Sequence, residues 1–340
     1  MKNLLKAAMV ALLLTPLVGC GPKEPEKQGS NTTETHGKKY NVAYLVNGNL
    51  GDKSFFDSAA AGLQTLEKDG RITLKTIEMG GTDADKPRWL QTLYEVSDLG
   101  EYDLIICGTY QMPDFLKEVA TKYPDQKYAI FDDNTYAGEN KNVLNLTYKQ
   151  NELGYIIGTL AASMTTDTSV ERINPEKVIG FVGGVDSPVI NDFLYGYITG
   201  AQNVDPEIKV DTRYTNDYVD TAIAKEYGLS MISDNKADII WGVAGNAGNG
   251  AAEAALEKNT AWFIGVDSDQ ESTFSPDLAA ITLTSGLKNV GNSLIWVFDE
   301  WDAGREYWGT EVTLGLKENG VGVVTDKNFA KYASQATKDK

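Results

Sequence analysis

Apolar residues follow two alternating patterns along the chain from Lys39 onward. Short runs that are almost wholly apolar predict buried strands, and in the first half these are YNVAYLV, ITLKTIEM, YDLIICG and YAIFDD. Between them, apolar residues recur every three or four positions, as on one face of a helix, in SFFDSAAAGLQTLEKDG, KPRWLQTLYEVSDLG and MPDFLKEVATKYP. The second half repeats the alternation, with strands KVIGFVGG, IKVDTRYT, DIIWGVAG and AWFIGVD. Strands that alternate with helices predict parallel sheets with right-handed crossovers, so we expect an α/β protein of two Rossmann-like lobes.

The two halves share a short internal similarity that favours two related lobes. Residues 55–64, FFDSAAAGLQ, align without a gap with residues 193–202, FLYGYITGAQ, and each segment follows the first strand of its half. In this division the chain crosses between the lobes three times, and the three crossings would form a hinge. The predicted boundaries are 39–146 plus about 283–308 for the first lobe and 147–282 plus about 309–330 for the second.

The first 38 residues predict an exported lipoprotein. Lys2 and Lys6 flank the start of an apolar run that is too short to span a bilayer as a permanent helix. The run ends at Leu-Val-Gly-Cys, which resembles the bacterial lipobox. Residues 1–19 are therefore a predicted signal peptide and Cys20 the lipid attachment site, with an ordinary secretory signal as the alternative. Residues 20–38 contain no apolar residue able to join a core, which predicts a disordered tether. We expect the protein to be anchored through Cys20 to the extracytoplasmic face of the cell membrane.

The composition argues against several functional classes. The chain has a formal net charge of −17, which excludes binding to nucleic acid or anionic lipid through bulk charge. Its one histidine, His36, lies in the tether, and Cys107 lies in an apolar strand. The predicted lobes therefore offer no histidine base and no accessible cysteine nucleophile for catalysis. The glycine-rich turn GVAGNAGNG matches neither a dinucleotide-binding nor a phosphate-binding loop. We expect a binding protein rather than an enzyme, with neither a cofactor nor a metal ion.

Polar and aromatic residues gather where the predicted strands end, which is where open α/β sheets bind their ligands. The candidate site residues are Asn47, Asp52, Ser54, Phe55, Phe56, Asp132, Tyr218, Gly245, Asn246, Asp267 and Lys288. Aromatic rings hold the flat face of a ligand, and carboxylates accept hydrogen bonds from vicinal hydroxyls or base N–H groups, as in a site for a sugar or, better, a nucleoside. The alternative for a single residue such as Ser54 or Asn246 is a helix cap. Of the adjacent rings Phe55 and Phe56, we expect one to face the ligand and one to pack in the core.

Seven motifs give the chain a resemblance to a known family. They are GDKSFFDSAAAGL, YPDQKYAIFDD, ELGYIIGTLAA, IGFVGGVDSPVINDFLYGYITGA, ADIIWGVAGNAGNG, FIGVDSDQ and LTSGLKNV. In this order they resemble the basic membrane protein family, also called the PnrA-like family, of ABC transporter substrate-binding lipoproteins. The resemblance covers nearly all of residues 39–324 and implies a periplasmic-binding-protein type I fold. It also implies a purine nucleoside as the ligand, ABC permease and ATPase subunits as partners, and a monomer.

The resemblance further implies roles for individual residues. Phe55 matches the ring that stacks on one face of the base, and Tyr218 stands where the family often has a Phe that stacks on the other. The ribose-binding set corresponds to Asp132, Gly245, Asp267 and Lys288. We expect Lys288 to pair with Asp267 when no ligand is bound. Phe56 departs from the family's usual Asn, which keeps a sugar or riboflavin open as the ligand, and a surface sensor or adhesin with the same cleft is a further alternative.

Overall fold

Strands and helices alternate through residues 38–339, the part of the chain that this computed structural model describes. The strands are β1 Tyr40–Val46, β2 Ile72–Glu78, β3 Leu104–Gly108, β4 Tyr128–Phe131, β5 Val143–Tyr148, β6 Val178–Gly183, β7 Lys209–Tyr214, β8 Ile239–Val243, β9 Trp262–Asp267, β10 Thr282–Lys288, β11 Thr310–Leu314 and β12 Val321–Val323. The helices are α1 Phe55–Lys68, α2 Lys86–Leu99, α3 Pro113–Lys122, α4 Gln150–Thr165, α5 Pro188–Val204, α6 Thr221–Ser233, α7 Gly245–Lys258, α8 Gln270–Thr273, α9 Pro276–Ala279, α10 Val290–Asp302, α11 Lys327–Tyr332 and α12 Gln335–Lys338. The predicted signal peptide, Cys20 and the tether up to residue 37 lie outside the described residues.

The strands form two six-stranded sheets of matching order. The first sheet has the order β11-β5-β4-β3-β1-β2, and the second has the order β12-β10-β9-β8-β6-β7. The paired strands are parallel except β12, which runs antiparallel to β10. The first strand of each half lies inside its sheet, with Val42 opposite Leu104 and Ile179 opposite Ile239. The predicted α/β class with two parallel sheets is therefore confirmed, and we call each sheet with the helices packed on it a lobe.

Two strands lie in the opposite sheet from the one that the predicted boundaries assign to them. Residues 283–288 were expected in the first lobe, but β10 pairs with β9 of the second sheet, with Ser285 opposite Gly265. Strand β11 was expected in the second lobe but pairs with β5 of the first sheet. Among the described residues, the chain therefore crosses between the sheets after β5, after β10 and after β11. Strand β10 is buried like the inner strands of either sheet and β11 is mostly exposed, so the sequence pattern does not specify the neighbour of either strand.

Helices cover both faces of each sheet, and one close helix contact explains the internal sequence similarity. Helices α1 and α10 pack together on the first sheet, as α5 and α4 do on the second. A Cβ atom on Gly62 of α1 would lie 2.3 Å from the carbonyl oxygen of Gly291, and one on Gly200 of α5 would lie 2.1 Å from that of Tyr155. Gly62 and Gly200 occupy the same position in the aligned segments. The similarity therefore marks the same glycine-dependent helix crossing in both lobes.

Within residues 38–339, no helix combines the length and apolar character needed to cross a bilayer.

Candidate functional site

A cavity of about 230 Å³ lies between the carboxyl ends of the two sheets. Ten of the eleven candidate site residues line it, namely Asn47, Asp52, Phe55, Phe56, Asp132, Tyr218, Gly245, Asn246, Asp267 and Lys288. Ser54 does not line the cavity but lies directly behind it, fully buried. The residues predicted from their positions at strand ends therefore lie around one cavity. Their contact with a ligand stays a prediction.

One end of the cavity holds two carboxylates and one ammonium group. Lys288, which ends β10, donates through Nζ to Oδ1 of Asp132, the residue after β4. Gln150 Nε2 donates to the same oxygen over 3.1 Å. The expected pairing of Lys288 with Asp267 is therefore wrong. Asp267 instead accepts a hydrogen bond of 2.5 Å from Ser54 Oγ to its Oδ2. Lys288 lies where the chain leaves the second sheet for the first, and its side chain reaches across to the first lobe.

Burial shapes the charge state of these carboxylates. Desolvation raises the pKa of Asp267 to about 7, although the nearby charge of Lys288 acts against this rise. Desolvation also raises the pKa of Asp132, against the charge and the hydrogen bond of Lys288. Each carboxylate is less than one tenth exposed. A ligand that donates hydrogen bonds to both would compensate for the hydration that burial removes from them.

The two carboxylates occupy equivalent and strained positions. Asp132 follows β4 and Asp267 ends β9, which are corresponding strands in the two matching sheet orders. Their φ angles are 68° and 66°, in the left-handed region that non-glycine residues rarely adopt. Such conformations persist where the surrounding structure enforces them and are common at binding sites. The fold therefore aims one carboxylate from each lobe into the same space.

Aromatic rings form another part of the wall. The rings of Phe55 and Phe56 meet edge to face with centroids 5.3 Å apart, and Phe55 lies 5.3 Å from the ring of Phe131. Both Phe55 and Phe56 line the cavity and both pack against the core, so the expectation that one of them faces the ligand and the other packs in the core stays a prediction. Lys288 Nζ lies 5.3 Å from the Phe55 ring, which is within cation–π distance. Two adjacent rings of the first lobe thus face the second lobe.

Tyr218 contributes a third ring from the second lobe. Its ring lies against Gly184, where an added Cβ would be 2.2 Å from a ring carbon. Its hydroxyl group lies 3.5 Å from that of Tyr110, which follows β3 of the first sheet. Burial and the neighbouring Tyr110 raise the pKa of Tyr218, so the phenol stays neutral. Aromatic surface therefore faces the cavity from both lobes.

Asn47 presents a hydrogen-bond acceptor without a partner. The residue is 3% exposed and lines the cavity directly after β1. Its Nδ2 donates to Thr109 Oγ1 over 2.7 Å, whereas its Oδ1 is buried and bonds to no other described residue. A buried acceptor left without a partner costs about 1–3 kcal/mol, so a ligand N–H or O–H group at this point would relieve a real penalty.

One residue of the cavity wall caps a helix, but it is Asp52 and not Ser54 or Asn246, the residues expected as caps. Asp52 accepts hydrogen bonds from the backbone N–H groups of Ser54, Phe56 and Asp57, which caps the start of α1. Ser54 makes no capping bond with its side chain. Asn246 donates through Nδ2 to the carbonyl oxygen of Val219 over 2.8 Å. Asp52 thus lines the cavity, while its carboxylate oxygens accept hydrogen bonds from backbone N–H groups at the start of α1.

The structure adds wall residues that were not among the candidates. Thr109, Tyr110 and Gln111 line the cavity and directly follow β3, so the strand-end rule applied to YDLIICG would have found them. Helix α5 adds Val189, Ile190 and Phe193. No polar group marks these three in the sequence, because their contribution is apolar surface that resembles ordinary core.

Comparisons with known proteins agree with this architecture. The family model described as ABC transporter substrate-binding protein PnrA-like matches residues 39–340. Basic membrane protein A of Borreliella burgdorferi is 30% identical over 295 residues, which cover 86% of this chain and 81% of the relative. An uncharacterized lipoprotein of Pyrococcus furiosus is 28% identical over 319 residues, covering 90% of this chain and 76% of the relative. The crystal structure of an ABC transporter solute-binding protein from Aeropyrum pernix K1 superimposes with a TM-score of 0.74 at 28% identity, covering 88% of this chain and 80% of that one. The fold is that of type I periplasmic solute-binding proteins.

Proposed function

Because the chain belongs to the PnrA-like family of ABC transporter substrate-binding proteins, we propose that it captures a purine nucleoside outside the cytoplasm for an ABC importer. The observation that carries this proposal is the division of the cavity wall. Carboxylates and an ammonium group lie at the ends of β4, β9 and β10. Asn47 follows β1 and Tyr218 follows β7, strands that lie further along the order of each sheet. A ligand with hydroxyl groups at one end and a flat ring with N–H groups at the other matches that division.

The wall residues suggest how each part of a nucleoside is held. Asp132, Asp267 and Lys288 bind the ribose hydroxyls, since carboxylates accept and an ammonium group donates hydrogen bonds. The base lies between the phenylalanine rings of the first lobe and Tyr218 of the second, and aromatic stacking stabilises it there. Asn47 Oδ1 accepts a hydrogen bond from the edge of the base. Its amide nitrogen is already bonded to Thr109, so this residue selects for a donor on the ligand.

The same proposal includes the cellular setting. A lipid on Cys20 holds the protein at the extracytoplasmic face of the cell membrane as a monomer, and the closed form delivers its ligand to permease and ATPase subunits. The lipoprotein name of the relative from Pyrococcus furiosus supports this setting. A sensor or adhesin would use the same cavity, and the presence of genes for an ATPase and permeases beside this gene distinguishes transport from those roles.

A sugar is the second candidate, favoured by the adjacent rings of Phe55 and Phe56 beside two carboxylates. Riboflavin is a third, although a three-ring flavin is larger than a nucleoside and a cavity of about 230 Å³ favours the smaller ligand. All of these ligands donate hydroxyl hydrogen bonds. They differ in what they place beside Asn47, because a pentose brings no aromatic N–H group to that end.

A thermal-shift screen tests the proposal directly. The protein with Cys20→Ser is heated with nucleosides, free bases, pentoses, hexoses or riboflavin. A ligand present at 100 times its Kd adds about 2.7 kcal/mol to the free energy of unfolding, which is a clear shift. Stabilisation by guanosine, adenosine or inosine supports the proposal. Stabilisation by sugars or riboflavin alone, or by none of these compounds, refutes the nucleoside assignment.

A further inference from the structure

The turn Asp52–Ser54 of the first lobe is bonded to several elements of the second lobe. Four side-chain hydrogen bonds cross between the lobes here. Ser54 Oγ donates to Asp267 Oδ2 at 2.5 Å and lies 3.4 Å from the carbonyl oxygen of Val266. Ser268 Oγ donates to the carbonyl oxygen of Lys53 at 2.7 Å, and Asn249 Nδ2 donates to the carbonyl oxygen of Asp52 at 3.4 Å. They reach strand β9, the loop that follows it, and helix α7. A single three-residue turn therefore connects the first lobe to three places on the second.

The first lobe builds this turn without help from the second. Lys53 has a φ of 55°, in the left-handed region that costs a non-glycine residue about 1 kcal/mol. Asp57 holds the turn by accepting hydrogen bonds from the N–H groups of Gly51 and Lys53, both 2.8 Å long. Asp52 accepts a further bond of 3.0 Å from the N–H group of Ser54. The carbonyl oxygens of residues 52 and 53 are thus preset as acceptors that face the second lobe.

The second lobe presets its donors in the same way. Gln270 is 1% exposed, and its Oε1 accepts from the backbone N–H of Val266 over 3.1 Å. This bond turns the Gln270 amide nitrogen toward Asn249 Oδ1, also 3.1 Å away. The orientation of the Asn249 amide is thereby settled. Its Nδ2 is directed at the carbonyl oxygen of Asp52, 3.4 Å away in the first lobe, and at Asn246 Oδ1, 3.2 Å away within the second lobe. Acceptors and donors that are fixed before the lobes meet lose little conformational entropy on closure.

Asn249 and Ser268 are outside the wall of the cavity, so a ligand held there does not touch them. We infer that the turn Asp52–Ser54 is a latch that holds the lobes closed, and that Asn249 and Ser268 are positioning residues that set the lifetime of the closed form. The inference rests on the proposed capture of a ligand by closure of the lobes. Loss of one neutral hydrogen bond shifts the ratio of closed to open protein about fivefold toward the open form.

A disulfide reporter tests the latch without any ligand. A Cβ atom on Gly81 would lie 3.7 Å from Val219 Cγ2 across the cleft, so a Gly81→Cys/Val219→Cys pair can be oxidised only when the lobes are closed. Cys20→Ser leaves Cys107 as the other thiol, which is fully buried. In the ligand-free protein, Asn249→Ala or Ser268→Ala should each slow disulfide formation by up to about fivefold, the limit reached when most of the protein is open, because the closed form is less populated.

Matched variants separate the latch from general damage to the fold. Asn235→Ala and Ser230→Ala remove side-chain bonds that stay within the second lobe and should leave the oxidation rate unchanged. Asn249→Asp keeps the size and shape of the side chain but lacks the donor, so it should slow oxidation at least as much as Asn249→Ala. Equal oxidation rates in the reporter with and without Asn249→Asp and Ser268→Ala would overturn the latch.

The kinetics of nucleoside binding test the latch together with the proposed function. In stopped-flow experiments, Asn249→Ala and Ser268→Ala should each raise the dissociation rate constant about fivefold and leave the association rate constant within about twofold of its original value. Unchanged dissociation in both variants would contradict the latch. Slower disulfide formation in a protein that binds no nucleoside would instead refute the proposed ligand and leave the latch standing.

Discussion

Asp267 joins the cavity to the contact between the lobes. One of its oxygens accepts from Ser54 of the other lobe, and its carboxylate lines the cavity wall. Replacement by alanine removes the acceptor for a ligand hydroxyl and leaves the buried hydroxyl of Ser54 without this partner. We expect Asp267→Ala to weaken nucleoside binding by about 2–4 kcal/mol, measured by isothermal titration calorimetry.

Asp269 provides the matched control for that measurement. It lies two residues further along the chain and outside the cavity wall, and its carboxylate pairs with Lys327. Asp269→Ala should therefore bind the nucleoside as the unmodified protein does. Unchanged affinity in Asp267→Ala would remove this residue from the binding site.

Asn47 offers a test of which part of the ligand lies at its end of the cavity. Asn47→Leu keeps a side chain of similar size but removes the unpartnered Oδ1 acceptor. We expect the Kd for a purine nucleoside to rise about tenfold, because the base N–H group loses its acceptor on binding. Ribose, which has no base, should bind both proteins equally in the same calorimetric titrations. A nucleoside Kd that does not change would place the base elsewhere.

At the scale of elements, the crossing of α1 and α10 depends on the absence of a side chain at Gly62. A Cβ atom there would lie 2.3 Å from a backbone oxygen of α10, and backbone cannot move aside as a side chain can. Alanine favours a helix over glycine by about 1 kcal/mol, but this gain is smaller than the cost of forcing the helices apart. We expect Gly62→Ala to lower the free energy of unfolding by about 1–3 kcal/mol in urea titrations.

The neighbouring Ala61 shows what the same helix tolerates. It is exposed on α1, so Ala61→Ser should change the free energy of unfolding by less than about 0.5 kcal/mol. Equal stability of Gly62→Ala and the unmodified protein would mean that the two helices can separate without cost.

The strands and helices follow from the periodicity of the sequence, because most strands are buried on both faces and most helices bury one face. Strands β2, β7 and β11, at the edges of the sheets, are half-buried or exposed. The strand-end rule also brought Asp132, Asp267 and Lys288 to one cavity, since parallel strands place their carboxyl ends at one edge of a sheet. The sequence pattern does not predict contacts between residues that are far apart in the sequence. Nothing in the local sequence says that Lys288 reaches Asp132 rather than Asp267, because both carboxylates follow buried strands and differ only in where the crossing chain places the lysine.

The same limit applies to the assignment of strands to sheets. Strand β10 is almost wholly buried and could extend either sheet, and its partner is decided by packing over the whole lobe. The apolar wall contributed by Ile190 and Phe193 was missed for a related reason. A residue that faces a ligand and a residue that faces the core have the same character when both are apolar.

At the scale of the whole molecule, several carboxylates are buried, and this makes stability depend on pH. The clearest case away from the cavity is Asp238, which is fully buried, accepts from Thr165 Oγ1 at 2.7 Å and from the N–H of Asn174 at 3.0 Å, and has a pKa raised by desolvation to about 7. In the unfolded chain an aspartate titrates near about 3.9. The folded protein therefore holds this proton more tightly, and its stability falls as the pH rises toward 7.

We expect the free energy of unfolding to be about 2–3 kcal/mol lower at pH 8 than at pH 5 through Asp238 alone. Asp238→Asn should remove that part of the dependence. Its amide oxygen can still accept from Asn174, and its amide nitrogen can donate to Thr165 once the hydroxyl rotates. Urea titrations at both pH values measure the difference, with Asp234→Asn, a surface carboxylate bonded to Ser230, as the control that should keep the full pH dependence. The same pH dependence in Asp238→Asn as in the unmodified protein would show that Asp238 stays ionised in the fold, which would require compensation from more than its two hydrogen bonds.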